Sequence, residues 1–191
     1  MKNSNRDAAT AYHEAGHAVV SLCLGLGVGR ATIVPDDVSA GHVDIEPEEP
    51  STCDAIVRGD RWHPARLQAE KRVMVLQAGE VARRRYNSRS VRLCHFQDDR
   101  RKCFTILRNY APDEEKRDVM PHYLLLRKWT IYLLEQNWYL VEAVAKALLE
   151  DRELSGPQVL DVIRAANQRQ PSINVQALLD AAEIIRRGEH L

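Results

Sequence analysis

The 191-residue chain is long enough for one domain with a real core. Its composition, 45% hydrophobic and 28% charged, is that of an ordinary globular protein, and 27 basic against 27 acidic side chains give nucleic acid or an anionic membrane surface no bulk charge to read. No apolar run approaches the roughly 20 residues of a membrane span, and no signal-peptide core precedes residue 13. A cytoplasmic location without direct membrane insertion is therefore expected.

The first predicted element is a helix over about residues 7–24, closed by the Gly25–Gly29 run as a C-cap and turn. Two short strands follow, over 31–35 and 41–47, and then a polar loop over 48–61. Pro64 suits the first turn of a second helix that runs to about Tyr86, with Leu67, Met74, Ala78 and Val81 on one stripe. Its basic end reads as a solvated helix terminus, and nucleic acid is not expected as a partner. A third helix starts near Phe96, with Asp98 and Asp99 in its first turn and Cys103, Ile106 and Leu107 turned inward. A long helix over 121–150 carries Leu134, Trp138, Val141, Ala145 and Leu148 on one face. A shorter helix ends near Gln168. After Pro171 a last helix, over about 174–187, aligns Val175, Leu178, Ala182 and Ile185. The pattern is mainly α with a small two- to three-stranded sheet (α+β): residues 1–170 as one domain, and 171–191 as a helical extension packed on it.

Chemistry concentrates in His13-Glu14-Ala15-Gly16-His17, an H-E-x-x-H signature inside the first helix. With seven histidines in the chain, about 0.02 matches to this motif arise by chance. Histidines four apart share one helical face, where both imidazoles reach a single Zn²⁺ at about 2.0–2.1 Å. Zinc lowers the pKa of a bound water toward about 7, and a carboxylate beside it accepts the proton. Glu14 holds that position as general base. The bland alternative, a helix that happens to carry two surface histidines, sits poorly with the apolar residues around them, since buried histidines need partners. Cys23, Cys53, Cys94 and Cys103 match no metal or redox spacing and read as free thiols.

A catalytic zinc site needs a third protein ligand and one open position. The extended H-E-x-x-H-x-x-G-x-x-H form is absent, because Val20 and Cys23 stand where it requires glycine and histidine. The segment Cys94-His95-Phe96-Gln97-Asp98-Asp99 offers donors. Either aspartate caps the third helix or ligates, and the two roles are compatible.

The ordered set of segments resembles the peptidase domain of the FtsH family of ATP-dependent zinc metalloproteases. AYHEAGHAVV resembles its motif helix, GRATIVPDDVSAGHVDIEPEE its strand, turn and edge strand, VLQAGEVARRRY its second helix with Gly79 at a family glycine, and VEAVAKALLEDRELSGPQVLDVI its closing segment. The resemblance spans roughly residues 8–165. It implies a helical zincin-like protease domain, zinc as cofactor, and Asp99 as third ligand with Asp98 the second choice. It also implies that the strand at Gly41, His42, Val43 and Asp44 holds substrate by backbone pairing. The family's acidic pair at the end of the second helix is Arg83-Arg84 here. The chain starts almost directly at the motif, so a stand-alone, ATP-independent metalloendopeptidase is expected, cleaving peptides or unfolded protein, with self-association or a delivery partner open. The alternative is an impaired FtsH-like domain that binds peptides or a protein, and a zinc hydrolase of non-peptide substrates is the third reading.

Overall fold

The computed structural model describes residues 2–35, 40–45, 63–90, 96–110 and 118–169. The loop over 48–61, the last helix over 174–187, Cys53 and Cys94 lie outside them.

Helix α1 (Lys2–Cys23) is the central element. Ala8, Ala9, Ala11, Ala15 and Ala18 are all buried along it, and side chains this small let neighbouring backbones come close. The closest approach is to α2 (His63–Tyr86). A Cβ on Gly16 would lie 2.6 Å from Ala82 Cβ and 2.7 Å from the Ala78 carbonyl oxygen. Gly16→Ala is therefore expected to destabilise the fold by about 1–3 kcal/mol, although alanine is the better helix former. Chemical denaturation measures this, and a gain in stability would contradict the packing.

α1 ends as its sequence directs. Gly25 takes φ +73, Leu26 N–H bonds to the Ser21 carbonyl, and Gly25 N–H bonds to that of Leu22. This is a Schellman closure, in which the left-handed position favours glycine. The turn delivers the chain into a three-stranded antiparallel sheet ordered β2-β1-β3, formed by β1 (Val28–Thr32), β2 (His42–Ile45) and β3 (Glu153–Ser155). Ala31 pairs with Val43 on one side and Leu154 on the other. β2 is an edge strand among the described residues.

Helix α3 (Gln97–Tyr110) packs against α2, with Cys103 and Leu107 buried and Ile106 partly buried. The expected long helix over 121–150 is two helices, α4 (Met120–Gln136) and α5 (Trp138–Asp151). Asn137 breaks it. Its side-chain amide donates to the Leu133 carbonyl at 2.8 Å, and its backbone leaves the helical region at φ −119, ψ 24. The apolar face survives the break, with Leu134, Val141, Ala145 and Leu148 buried. Leu67, expected on the inner stripe of α2, is 46% exposed, and Val73 and Val75 fill the core instead. α5 closes on Arg152 in the left-handed conformation. Arg152 is held there by its own backbone bonds to Leu148 and Ile33 and by an ion pair with Asp7 at 3.2 Å. β3 then leads into α6 (Gly156–Arg169). Among the described residues no helix is long and apolar enough to cross a membrane.

Candidate metal centre

Three helices meet at the motif. α1 supplies His13 and His17, α2 passes beneath them, and the first turn of α3 brings Asp99 over the top. His13 Nε2 and His17 Nε2 lie 3.1 Å apart, and Asp99 Oδ2 lies 3.4 Å from the first and 3.5 Å from the second. The edge of a tetrahedron is about 1.6 times its centre-to-vertex distance. Bonds of about 2.0–2.1 Å thus require donor spacings near 3.3–3.4 Å, so these three atoms fit one face of a zinc tetrahedron. Asp98 does not join them. Its carboxylate is exposed and takes Arg101 at 2.9 Å. The Cys103 thiol turns the other way and donates to the Val73 carbonyl, while burial pushes its pKa up to about 12.

Outer contacts set the rings. His17 Nδ1 donates to the Val75 carbonyl at 2.7 Å, which fixes its orientation and aims Nε2 at Asp99. Beneath both rings runs Gly79, where a Cβ would sit 2.5 Å from His13 Cε1 and overlap His17 Nε2. Farther along α2, Glu80 binds Arg84 and, from α4, Arg127 at 3.2 Å, locking α4 onto the site's floor.

The same cluster is a strong proton site. Burial alone would lower His17, but the hydrogen bond and charge of Asp99, with help from Glu14 and the Val75 carbonyl, hold it at about 9. Burial likewise pushes Asp99 up, and its bonds to His13 and His17 overcome that and hold it well below the usual carboxylate range. Metal must displace the His17 proton, because a protonated imidazole nitrogen has no lone pair to give. Zinc affinity is therefore expected to rise by about tenfold per pH unit up to about pH 9 and to flatten above it. Calorimetric titration across that range checks the slope, and a flat profile would contradict the proton count.

Glu14 is buried, and burial is the main reason its carboxyl is raised, with His13 and His17 pulling it partly back. It faces a cleft of about 570 Å³ that also exposes His13, His17, Asp99, Gly41 and Val43. Gly41 passes so close that a Cβ there would stand 3.0 Å from Glu14 Oε1. The side chains of His42 and Asp44 are engaged by Arg30 at 3.0 and 3.1 Å. Of β2, the outer backbone edge is what this leaves to face a ligand. Thr10, Phe96 and Lys102 also line the cleft, and sequence reasoning did not name them as site residues. Thr10 sits one turn before Glu14, a spacing that was available as a signal; Lys102 had none. Arg83 is buried in the same wall, while Arg84 lies 5.4 Å from the Phe96 ring centre.

Helices, a small antiparallel sheet and a His-His-Asp cluster with an adjacent buried glutamate define a candidate catalytic metal centre. Sequence comparison points the same way. Over 84 residues the chain is 34% identical to the mouse ATP-dependent zinc metalloprotease YME1L1, covering 43% of this chain and 10% of that protein. The human YME1L1 match is also 34%, covering 43% and 9%. The ATP-dependent zinc metalloprotease FtsH of Caulobacter vibrioides is 37% identical over 82 residues, covering 42% and 12%. The chain thus spans about a tenth of the length of the relatives it matches, and no family model matches. Part of this chain is related in sequence to FtsH-like zinc metalloproteases.

Proposed function

We propose that the chain is a zinc-dependent metallopeptidase with a helical zincin-like fold, hydrolysing peptide bonds in extended or unfolded segments. The observation that carries this reading is the near-equilateral triangle of His13 Nε2, His17 Nε2 and Asp99 Oδ2, with Glu14 on the same helical turn at the cleft. His13, His17 and Asp99 hold the metal, and Asp99 offsets part of its charge. Zinc bound there supplies a Lewis acid and water of lowered pKa. Glu14 takes the proton from the attacking water, and its raised affinity for that proton suits it to pass the proton on to the leaving amine. The edge of β2 aligns the substrate by main-chain hydrogen bonds, with Gly41 allowing close passage over Glu14.

A pure binding module is the less favoured reading. It drew on Arg83 and Arg84, yet Arg84 has a packing role of its own with Glu80 and Phe96. The test is zinc-dependent cleavage of an unstructured labelled protein, lost with chelator and restored by zinc. In parallel, Asp99→Ala is expected to weaken zinc by at least about 100-fold while Asp98→Ala leaves it unchanged. Zinc-loaded protein that cleaves nothing in a broad peptide library would favour the binding module, and the reverse pattern in the aspartate variants would overturn the ligand assignment.

A further inference from the structure

α4 is apolar on both sides. Its inner face, Tyr123, Leu126, Thr130 and Leu134, is buried. At about 100° per residue the opposite side carries Leu124, Leu125, Trp129, Ile131 and Tyr132, which stand 37–55% exposed. Trp129 and Tyr132 meet edge to face with ring centres 6.3 Å apart. A helix that is apolar all round is ordinarily a covered one, and a contiguous exposed patch of this kind marks an interaction surface.

The occupant follows from where the chain goes next. The last turn of α6 is tied to the start of α5 by Tyr139 Oη, which donates to Asn167 Oδ1 at 3.0 Å. Tyr139 lies three residues beyond the end of α4, so residues 170–191 set out from beside that end. Their sequence spaces Val175, Leu178, Ala182 and Ile185 as one helical stripe. A helix over 174–187 is about 21 Å long, against about 25 Å for α4. The residues joining Arg169 to Val175 reach about 17 Å when extended. Run antiparallel from the Gln136 end, the stretch from Asp180 to Glu183 comes level with Lys128 on the exposed face. Length, apolar spacing and charge all match.

We propose that residues 170–191 fold back as an amphipathic helix over the Leu124–Tyr132 face of α4 and cover it in cis. The cover backs the site's floor, because α4 packs on α2 and Arg127 reaches Glu80, the neighbour of Gly79. It is independent of the proposed peptidase chemistry.

The test uses the full chain and reads acrylamide quenching of Trp129, taken as the difference between wild type and Trp129→Phe, with sedimentation velocity reporting mass. The expected result is a monomer in which Trp129 is shielded. Leu178→Glu with Ile185→Glu should raise its quenching severalfold while the cooperative unfolding transition of the domain persists. Leu178→Ala, a milder change, should move it the same way by less. Trp129 equally accessible in wild type and variants would overturn the proposal. So would shielding that survives both variants, or shielding present only in a concentration-dependent dimer, where a second copy covers the face.

Discussion

Glu14→Gln is expected to lower peptide hydrolysis by about 10²–10⁴-fold while zinc stays bound. Glutamine keeps the shape and the polar tip but accepts no proton at neutral pH. Glu14 shares its turn of α1 with His13, and its carboxylate stands at the cleft rather than among the three converging donor atoms. Losing its charge therefore leaves the His-His-Asp triangle intact. Burial raises Glu14's proton affinity, which places it nearer to the working pH than an exposed glutamate and makes proton transfer in both directions effective. Steady-state cleavage measured beside zinc content separates the roles. Equal activity in the variant would remove Glu14 as base; loss of zinc would make it a ligand instead.

Gly79→Ala has the second large effect, and it reaches the site through space. In an ordinary helix interior this change gains about 1 kcal/mol, because alanine is the better helix former. Here the added methyl would lie 2.5 Å from His13 Cε1 and 2.7 Å from His13 Nδ1, and would overlap His17 Nε2, the atom aimed at Asp99. The rings are buried and hemmed in by Val75 and Asp99, so they yield only by leaving the triangle. Zinc affinity is expected to fall by at least about 100-fold, and the metal-free protein to lose about 1–3 kcal/mol. Zinc titration with thermal unfolding of the metal-free form checks both. Unchanged affinity would mean the imidazoles do not rest on α2.

Much of the fold was legible because helices of this length carry their period openly. The α1 boundaries, the Gly25 stop and the α2 and α3 helices follow from apolar spacing and turn residues. The Asn137 break was not legible, since both halves keep one apolar face through it and the signal is a local side-chain bond to Leu133. β3 has three residues, too few for a period, and exists because β1 offers it a second edge. Leu67 matched the inner stripe but has no neighbour to cover it among the described residues. Within the site, the motif turn announced His13, Glu14 and His17. Asp98 and Asp99 sit about 100° apart around α3, so spacing alone left both open. The side chain of Asp98 goes to Arg101 and that of Asp99 to the imidazoles. The Val75 carbonyl, which orients His17, is a backbone atom with no sequence signature.

The central claim is tested most directly by locating zinc in the zinc-loaded protein by anomalous X-ray diffraction. The account predicts one fully occupied site with His13 Nε2, His17 Nε2 and one Asp99 oxygen at about 2.0–2.2 Å and a remaining position open to the cleft beside Glu14. Zinc bound elsewhere, or held by the two histidines with Asp99 turned away, would contradict it.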